Sequence, residues 1–185
     1  MNGFDQDGMI IVDACQFEYA PLFPNASGEM LPDNDPYLTR WGIDLNKESP
    51  KVNYQRVNDN RSEFPVLDPR RAMREYRYGY HTSADTDDGE MYNMVVAVDH
   101  ETGGTQRYSF GDRKQFFTSE AIFVPRADDA AENEGYLLSV VTDMEAGKSS
   151  LEILDAQNVS AGPLASAKLN HRIPVGFHGG WRPGA

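Results

Sequence analysis

The chain has 185 residues, of which 39% are hydrophobic and 25% charged, and 29 acidic against 17 basic side chains give a formal net charge of −12. This composition fits one folded domain with its own core and excludes a disordered chain. The acidic balance argues against a nucleic-acid partner, because phosphate backbones repel an acidic chain.

The compartment is inferred from features that the sequence does not contain. No apolar run is long enough to span a bilayer, and the first residues show neither the basic nor the apolar region of a secretory signal. Cys15 is the only cysteine, so an internal disulfide is impossible and a buried, inert thiol is expected. The sequence therefore predicts a cytoplasmic protein and leaves contact with a membrane open.

The local pattern indicates β-structure from one end of the chain to the other. Short runs rich in Val, Ile, Tyr and Phe alternate with clusters of Gly, Asn, Asp and Pro, which is typical of short strands joined by turns. The predicted strands are residues 9–16, 38–45, 52–57, 75–81, 92–99, 105–110, 121–124, 136–142, 150–154 and 165–169. Asp68 and Pro69 predict one short helical turn. The polar segments 24–36 and 127–135 are predicted to be exposed loops.

Three segments share one shape: an apolar strand that ends in aspartate, a tight polar turn and a second strand. Their aspartates are Asp44, Asp99 and Asp155, spaced by 55 and 56 residues. Self-similarity at this period, with about four short strands per unit, is typical of β-propeller blades. The sequence therefore predicts an all-β propeller, with a β-sandwich as the alternative.

About three such units fit into the chain, whereas a propeller ring closes with about four to eight blades. We therefore expect residues 1–185 to form a single partial propeller domain, either truncated or completed by another copy of the chain. Residues 2–8 are interpreted as a turn that leads into the first strand with no earlier segment to pair with. This interpretation favours truncation at the N-terminus.

Four histidines are the first candidates for metal chemistry, and no two of them have helical metal spacing. His100 is expected to be solvated in a hairpin turn, His171 to lie at the surface and His81 to be structural. His178 differs because it stands within residues 176–180 (GFHGG), where glycines let the backbone approach a crowded centre. The alternative for His178 is a buried histidine bonded to a carbonyl.

Two glutamates lie in apolar surroundings, Glu120 within residues 116–125 and Glu63 before Phe64. Burying a carboxylate is costly unless it is paired or hydrogen-bonded. One use of such a group is to accept the second ring N–H of a metal-bound histidine and so fix the aim of the ring. The alternative is an edge-strand glutamate that faces water.

Two further patterns are interpreted as structural. The acidic segment 85–90 lacks the twelve-residue spacing of a calcium-binding loop and is predicted to be a solvated hairpin turn. The arginines and tyrosines of residues 70–80 form a basic and aromatic patch. Because the chain is acidic overall, we expect local ion pairs there rather than contacts with nucleic acid.

Six segments together resemble the carotenoid oxygenase family, which includes carotenoid-cleavage and lignostilbene-type dioxygenases. They are residues 63–65, 76–80, 119–126, 134–138, 154–156 and 174–181. The most specific parts are the closing Gly-Phe-His-Gly-Gly-Trp of residues 176–181 and the Ser-Glu-Ala-Ile-Phe-Val of residues 119–124. The resemblance runs along the whole chain, as the C-terminal part of such a protein.

The resemblance implies a seven-bladed propeller with iron(II) held on its axis by four histidines, some of them oriented by glutamates. By position, His178 matches the last iron ligand, and Glu63 and Glu120 match two of the orienting glutamates. Residues 2–4 (Asn-Gly-Phe) match the end of a motif whose histidine would lie upstream of Met1. The chain therefore carries one metal ligand of four, and the remaining part of the propeller is an expected partner.

The implied reaction is oxidative cleavage by O₂ of a conjugated C=C bond in a small apolar alkene, such as a carotenoid, apocarotenoid or stilbene, to two carbonyl products. With one ligand, the 185 residues alone are expected to be inactive. The alternative from another class is a non-catalytic, propeller-like binding module completed by self-assembly. A propeller glycosidase is a weaker alternative, because Glu120 alone does not make a carboxylate pair.

Overall fold

The computed structural model describes residues 1–19, 23–30, 35–84 and 91–184. Across these ranges the backbone forms twelve strands and two single-turn 3₁₀ helices. The strands are β1 (Asn2–Gln6), β2 (Met9–Gln16), β3 (Tyr37–Asp44), β4 (Val52–Arg61), β5 (Glu63–Leu67), β6 (Tyr78–Ser83), β7 (Met94–Asp99), β8 (Thr105–Ser109), β9 (Phe116–Pro125), β10 (Gly135–Asp143), β11 (Lys148–Asp155) and β12 (Pro163–Lys168). The 3₁₀ helices are Pro69–Arg71 and Val159–Ala161.

The strands form three four-stranded sheets in which neighbours in sequence are neighbours in space: β1 to β4, β5 to β8 and β9 to β12. Every paired strand is antiparallel to its neighbour. Such four-stranded meanders are the units of a propeller, and we call them the first, second and third blades. The prediction of an all-β fold with about three propeller blades is confirmed.

The repeated aspartates have one structural cause. Asp44, Asp99 and Asp155 are the last residues of the third strand of each blade. In each case the carboxylate oxygen Oδ1 accepts the backbone N–H two residues further on, at 3.0, 3.0 and 2.9 Å. Aspartate closes a turn in this way without help from the rest of the fold, so the 55-residue period marks the same turn in successive blades.

The core lies between the blades, and β7 takes part in both of its halves. One face of β7 packs against Leu38 of the first blade and the other against Leu137 of the third. The face towards Leu38 carries Met94, Val96 and Val98. The face towards Leu137 carries Val95 and Ala97. Because strand side chains alternate between faces, a strand that is buried on both sides appears in the sequence as an unbroken apolar run.

The strand predictions need several corrections, one of which is that β4 ends at Arg61 rather than residue 57. Residues 2–6 form strand β1, which is joined to β2 by the turn at Asp7 and Gly8. The turn expected over residues 2–8 is therefore confined to its last two residues. Strand β5 lies in a segment for which no strand is predicted. Strand β6 begins at Tyr78 rather than residue 75, and β9 begins at Phe116 rather than residue 121.

The segment between β5 and β6, residues 68–77, ties the three blades together. Asp68 caps its 3₁₀ helix by accepting the Arg70 backbone N–H, as predicted. From the first blade, the Asn2 side chain accepts the Met73 N–H at 2.9 Å and donates to the Arg74 carbonyl at 2.9 Å.

The third blade reaches the same segment through its loop 127–134. Arg70 Nη1 donates to the carbonyl oxygens of Asp128 and Ala130 at 2.9 and 3.0 Å. Glu132 Oε1 accepts the backbone N–H groups of Arg77 and Tyr78 at 2.7 and 2.8 Å. The predicted loop is confirmed over 127–134, and residues 127–129 and 131 are exposed as predicted. Glu132 and Asn133 are half-buried instead, because they bind groups of the second blade and of the segment 68–77.

The basic and aromatic patch forms local ion pairs, as predicted. Arg77 forms a bidentate ion pair with Asp99 at 2.9 and 2.7 Å, and this contact is the main reason why the pKa of Asp99 lies far below its usual range.

Burial raises the pKa of Cys15 to about 12, which fits an inert thiol. The acidic turn predicted over 85–90 lies outside the described residues. Within the described ranges, no helix is long and apolar enough to cross a membrane.

Candidate metal centre

His178 and Glu120 lie side by side, although 58 residues separate them in sequence. His178 Nδ1 is 3.3 Å from Glu120 Oε1, and the backbone N–H of Gly179 donates to Glu120 Oε2 at 3.0 Å. One carboxylate therefore holds both the ring and the backbone of the histidine segment. With Nδ1 turned towards Glu120, the tautomer that carries its proton on Nδ1 leaves Nε2 as the free electron-pair donor.

The two partners differ in exposure, and the difference fits their expected roles. The Glu120 side chain is 13% exposed and the His178 side chain is 74% exposed. Glu120 stands within β9, whose rigid backbone fixes the position of its carboxylate. His178 lies in the irregular segment after β12, so its aim depends on the contacts that its side chain makes.

The histidine segment closes one side of a cavity of about 350 Å³. The opposite wall is a face of the third blade that includes Ile122, Leu138 and Val140. A Cβ atom at Gly179 would lie 2.9 Å from Ile122 Cδ1. This close approach supports the interpretation of a glycine that lets the backbone come near a crowded site for Gly179 alone. A Cβ atom at Gly180 would meet nothing within 4 Å, and one at Gly176 would lie 4.0 Å from the Pro174 carbonyl oxygen.

An aromatic cluster stands on the other side of the ring. Phe64 meets His178 edge to face, with ring centroids 5.8 Å apart and planes at 82°. Phe64 also contacts Tyr92 and Phe177, at 6.1 and 6.4 Å between centroids. Sequence reasoning did not single out Phe64. The one signal available was its place between a carboxylate and a proline, in the segment Glu63-Phe64-Pro65.

Glu63 lies at the start of β5, near the same cluster but with a different partner. Its Oε2 accepts the backbone N–H of Phe64 at 2.9 Å, and its backbone carbonyl accepts the Thr82 hydroxyl at 3.1 Å. Phe64 has a φ of +49°, a region that large side chains rarely adopt. The expectation that Glu63 orients a metal-bound histidine stays a prediction.

The other three histidines have structural surroundings. His81 is fully buried, with Nδ1 3.1 Å from the Thr82 carbonyl oxygen, and burial lowers its pKa from the usual 6.5 to about 4. His171 is exposed, as predicted. His100 lies in the expected turn, but its ring packs on Tyr76 at 4.9 Å between centroids and its Nε2 is buried. The prediction of a solvated His100 is therefore wrong, because the turn packs against Tyr76 of the segment 68–77.

The side chains around His178 fit a metal site in one respect only. An imidazole that is held at Nδ1 by a carboxylate and open at Nε2 is a common arrangement for a metal ligand. Among the described residues, however, no group of three or more His, Cys, Asp and Glu side chains is placed to hold a metal ion. The described residues therefore present one exposed imidazole in a ligand-like arrangement, and the assignment of His178 as a metal ligand stays a prediction.

Comparison with known proteins places the fold in a family. Three consecutive four-stranded meanders define a propeller protein, and the retinal pigment epithelial membrane protein family model matches residues 1–183. The chain belongs to this family, the carotenoid oxygenases.

Relatives and solved structures agree with this assignment. Isoeugenol monooxygenase of Pseudomonas putida is 32% identical over 98% of the chain and 40% of its own length. Apocarotenoid-15,15'-oxygenase of Synechocystis is 33% identical over 97% of the chain and 37% of its own length. The crystal structure of Pseudomonas brassicacearum lignostilbene dioxygenase superposes with a TM-score of 0.91 at 30% identity, covering 99% of this chain and 41% of that one.

A metal has been placed in one similar structure, a cobalt-substituted Synechocystis oxygenase with a TM-score of 0.85 and 33% identity, matched over 98% of this chain and 38% of that one. The chain spans 35–40% of the length of the relatives from Pseudomonas, Synechocystis, Sphingomonas and Phaseolus.

Proposed function

We propose that this chain is the C-terminal part of a non-haem iron(II) dioxygenase that cleaves a conjugated C=C bond of an apolar alkene with O₂. The observation that carries the proposal is the contact of His178 with Glu120. It couples an exposed imidazole to a carboxylate on a rigid strand, in a chain of the carotenoid oxygenase family. Relatives whose names specify isoeugenol, an apocarotenoid and a lignostilbene support an alkene as the substrate class.

His178 acts in this proposal as one of the iron ligands, through Nε2. With iron(II) bound, His178 would help to hold it, and the metal would supply the activation of O₂. Glu120 keeps the ring in one tautomer and one orientation by accepting the Nδ1 proton, and Gly179 fixes the same carboxylate from the backbone. The apolar walls of the cavity, Ile122 and Leu138 among them, exclude water from the space next to the ligand.

The remaining ligands are proposed to come from the part of the full-length protein that this chain does not contain. Glu63 is proposed to orient one of them, because its carboxylate lies next to the aromatic cluster that contacts His178. A single imidazole does not hold iron(II) tightly, so the 185 residues alone are proposed to be inactive.

The test is the iron content of the full-length protein and of three of its variants. His178→Ala is expected to lose stoichiometric iron. Glu120→Gln is expected to weaken iron binding by about 10- to 100-fold, because the ring loses its orienting carboxylate. The matched control is His171→Ala, which removes an exposed histidine seven residues away and should retain full iron. Unchanged iron in His178→Ala would contradict the proposal, as would stoichiometric iron in the 185-residue chain alone.

A further inference from the structure

Phe64 is the most strained residue near the candidate centre. Its φ of +49° lies in the left-handed region, which a side chain with a Cβ rarely occupies and which is disfavoured further before a proline. The strand pairing is irregular at the same point, between Glu63 and Val66 of β5. Backbone strain of this kind persists only where its surroundings impose it, and it concentrates at functional sites.

Two contacts keep the bend in place. The carboxylate of Glu63 accepts the N–H of Phe64 itself at 2.9 Å, so the acidic residue holds the backbone of its own neighbour. The hydroxyl of Thr82, on the paired strand β6, donates to the Glu63 carbonyl at 3.1 Å. Both of these hydrogen bonds come from the second blade itself.

The bend brings the Phe64 ring against the ring of His178. The two planes are nearly perpendicular, at 82°, with centroids 5.8 Å apart, a favourable edge-to-face arrangement. His178 otherwise has its Nδ1 contact to Glu120, and its side chain is 74% exposed. A ring held by one hydrogen bond can still turn about that bond. A second contact to the ring, from a different blade, removes that freedom.

We propose that Phe64 is a positioning residue for the metal: the strained bend held by Glu63 presses the Phe64 ring on His178 and so fixes the direction of Nε2. This inference rests on the proposed function, because it assumes that His178 is a ligand. Glu63 then acts on His178 indirectly, through Phe64. This role is separate from the proposed direct contact of Glu63 with another histidine. Phe64 itself need not touch metal or substrate.

The experiment measures Co(II) binding to the full-length protein by titration, with the visible absorption spectrum of bound Co(II) as a readout of ligand geometry. Phe64→Ala removes the ring and is expected to raise the Co(II) dissociation constant by about 10-fold or more and to alter the spectrum. Phe64→Tyr keeps an aromatic ring and is expected to retain the wild-type dissociation constant and the wild-type spectrum. Phe110→Ala is the matched control, since Phe110 packs on Tyr108 away from the candidate centre.

The outcomes separate this inference from its rivals. If Phe64→Ala and Phe110→Ala lower the melting temperature alike while Co(II) affinity and spectrum stay unchanged, Phe64 is only a packing residue and the inference fails. If Phe64→Ala changes KM for the alkene but not the metal, it is a substrate wall and the inference fails. Should Phe64→Ala not fold, Phe64→Leu keeps apolar volume without the ring and is expected to show the same loss of affinity. Co(II) binding that survives His178→Ala overturns the proposed function itself.

Discussion

Glu120 and His178 are placed by one shared set of contacts. Glu120 stands in an apolar strand, where an unpaired carboxylate would be unfavourable. Its two oxygens are satisfied by the His178 ring and the Gly179 N–H. The same contacts make Nε2 of His178 the available donor. The same two contacts therefore satisfy the buried carboxylate and orient the imidazole ring.

His81 makes the stability of the fold depend on pH. Its pKa is about 4 in the folded protein and 6.5 when unfolded, because full burial disfavours the charged ring. The unfolded chain therefore binds the proton more readily between these values. The stability due to neutral His81 is fully present above pH 6.5 and is lost as pH falls towards 4, by about 3 kcal/mol in total.

The check is urea unfolding at several pH values between 4 and 7. His81→Gln should reduce the slope with which the free energy of unfolding increases with pH. This holds whether or not the substitution changes the free energy of unfolding at pH 7. Part of the slope should remain, because burial also lowers the pKa of His100 to about 4. His171→Gln is the control and should leave the slope as it is. An equal slope in the wild type and His81→Gln would show that His81 is not buried as a neutral ring.

The candidate residues were predictable from the sequence to the extent that they lie in recognisable short motifs. His178 is flagged by its glycines and Glu120 by its apolar strand. Their contact with each other could not be predicted, because it depends on how the segment after β12 crosses β9. Phe64 could not be predicted at all, because its importance comes from a backbone bend that propensities at a residue before proline argue against.

Among the elements, the strands with the clearest patterns were predicted well. Strand β2 has its predicted bounds, and the apolar run of β7 identifies a strand buried on both faces. The two strands without a prediction have weak local signals: β1 contains a glycine and is largely polar, and β5 contains Pro65. Both form because neighbouring strands supply hydrogen-bond partners, which is information that the segment itself does not contain.

One acidic side chain of the loop 127–134 adds to the attachment that Arg70 provides. Glu132 accepts the backbone N–H groups of both Arg77 and Tyr78. Glu132→Ala leaves these two donors without their acceptor. It should lower the free energy of unfolding by about 2 kcal/mol and the melting temperature by about 4–8 °C.

Thermal unfolding of Glu132→Ala beside Glu145→Ala measures this effect. Glu145 is exposed in the turn after β10 and serves as the matched control. A melting temperature for Glu132→Ala equal to that of the control would mean that water replaces the carboxylate at no cost. The loop would then be the exposed excursion that its polar sequence suggests.

At the scale of the whole molecule, the first blade presents an apolar outer face. Trp41 lies between Val12 and Tyr54 on adjacent strands, and Ile43 lies beside Val52. Tyr54 is 67% exposed and Val52 54% exposed. Contiguous exposed apolar surface of this kind favours association.

We therefore expect the isolated 185-residue chain to self-associate through this face. Sedimentation velocity at increasing protein concentration should show dimers or larger species, and the double variant Val52→Lys with Tyr54→Lys should shift them towards monomer. Leu164→Lys is the matched control, because Leu164 is 60% exposed on β12 of the third blade. The prediction fails if the wild type stays monomeric or if the double variant associates equally.

The position of His178 along the chain has a consequence for biosynthesis. The residue follows all twelve described strands, and a polypeptide emerges from the ribosome from its N-terminus. Every blade of this chain has thus been synthesised before the imidazole exists. If His178 is an iron ligand, the ligand set is complete only after every blade of this chain has been synthesised, and a chain that stops before residue 178 has its sheets but lacks this ligand.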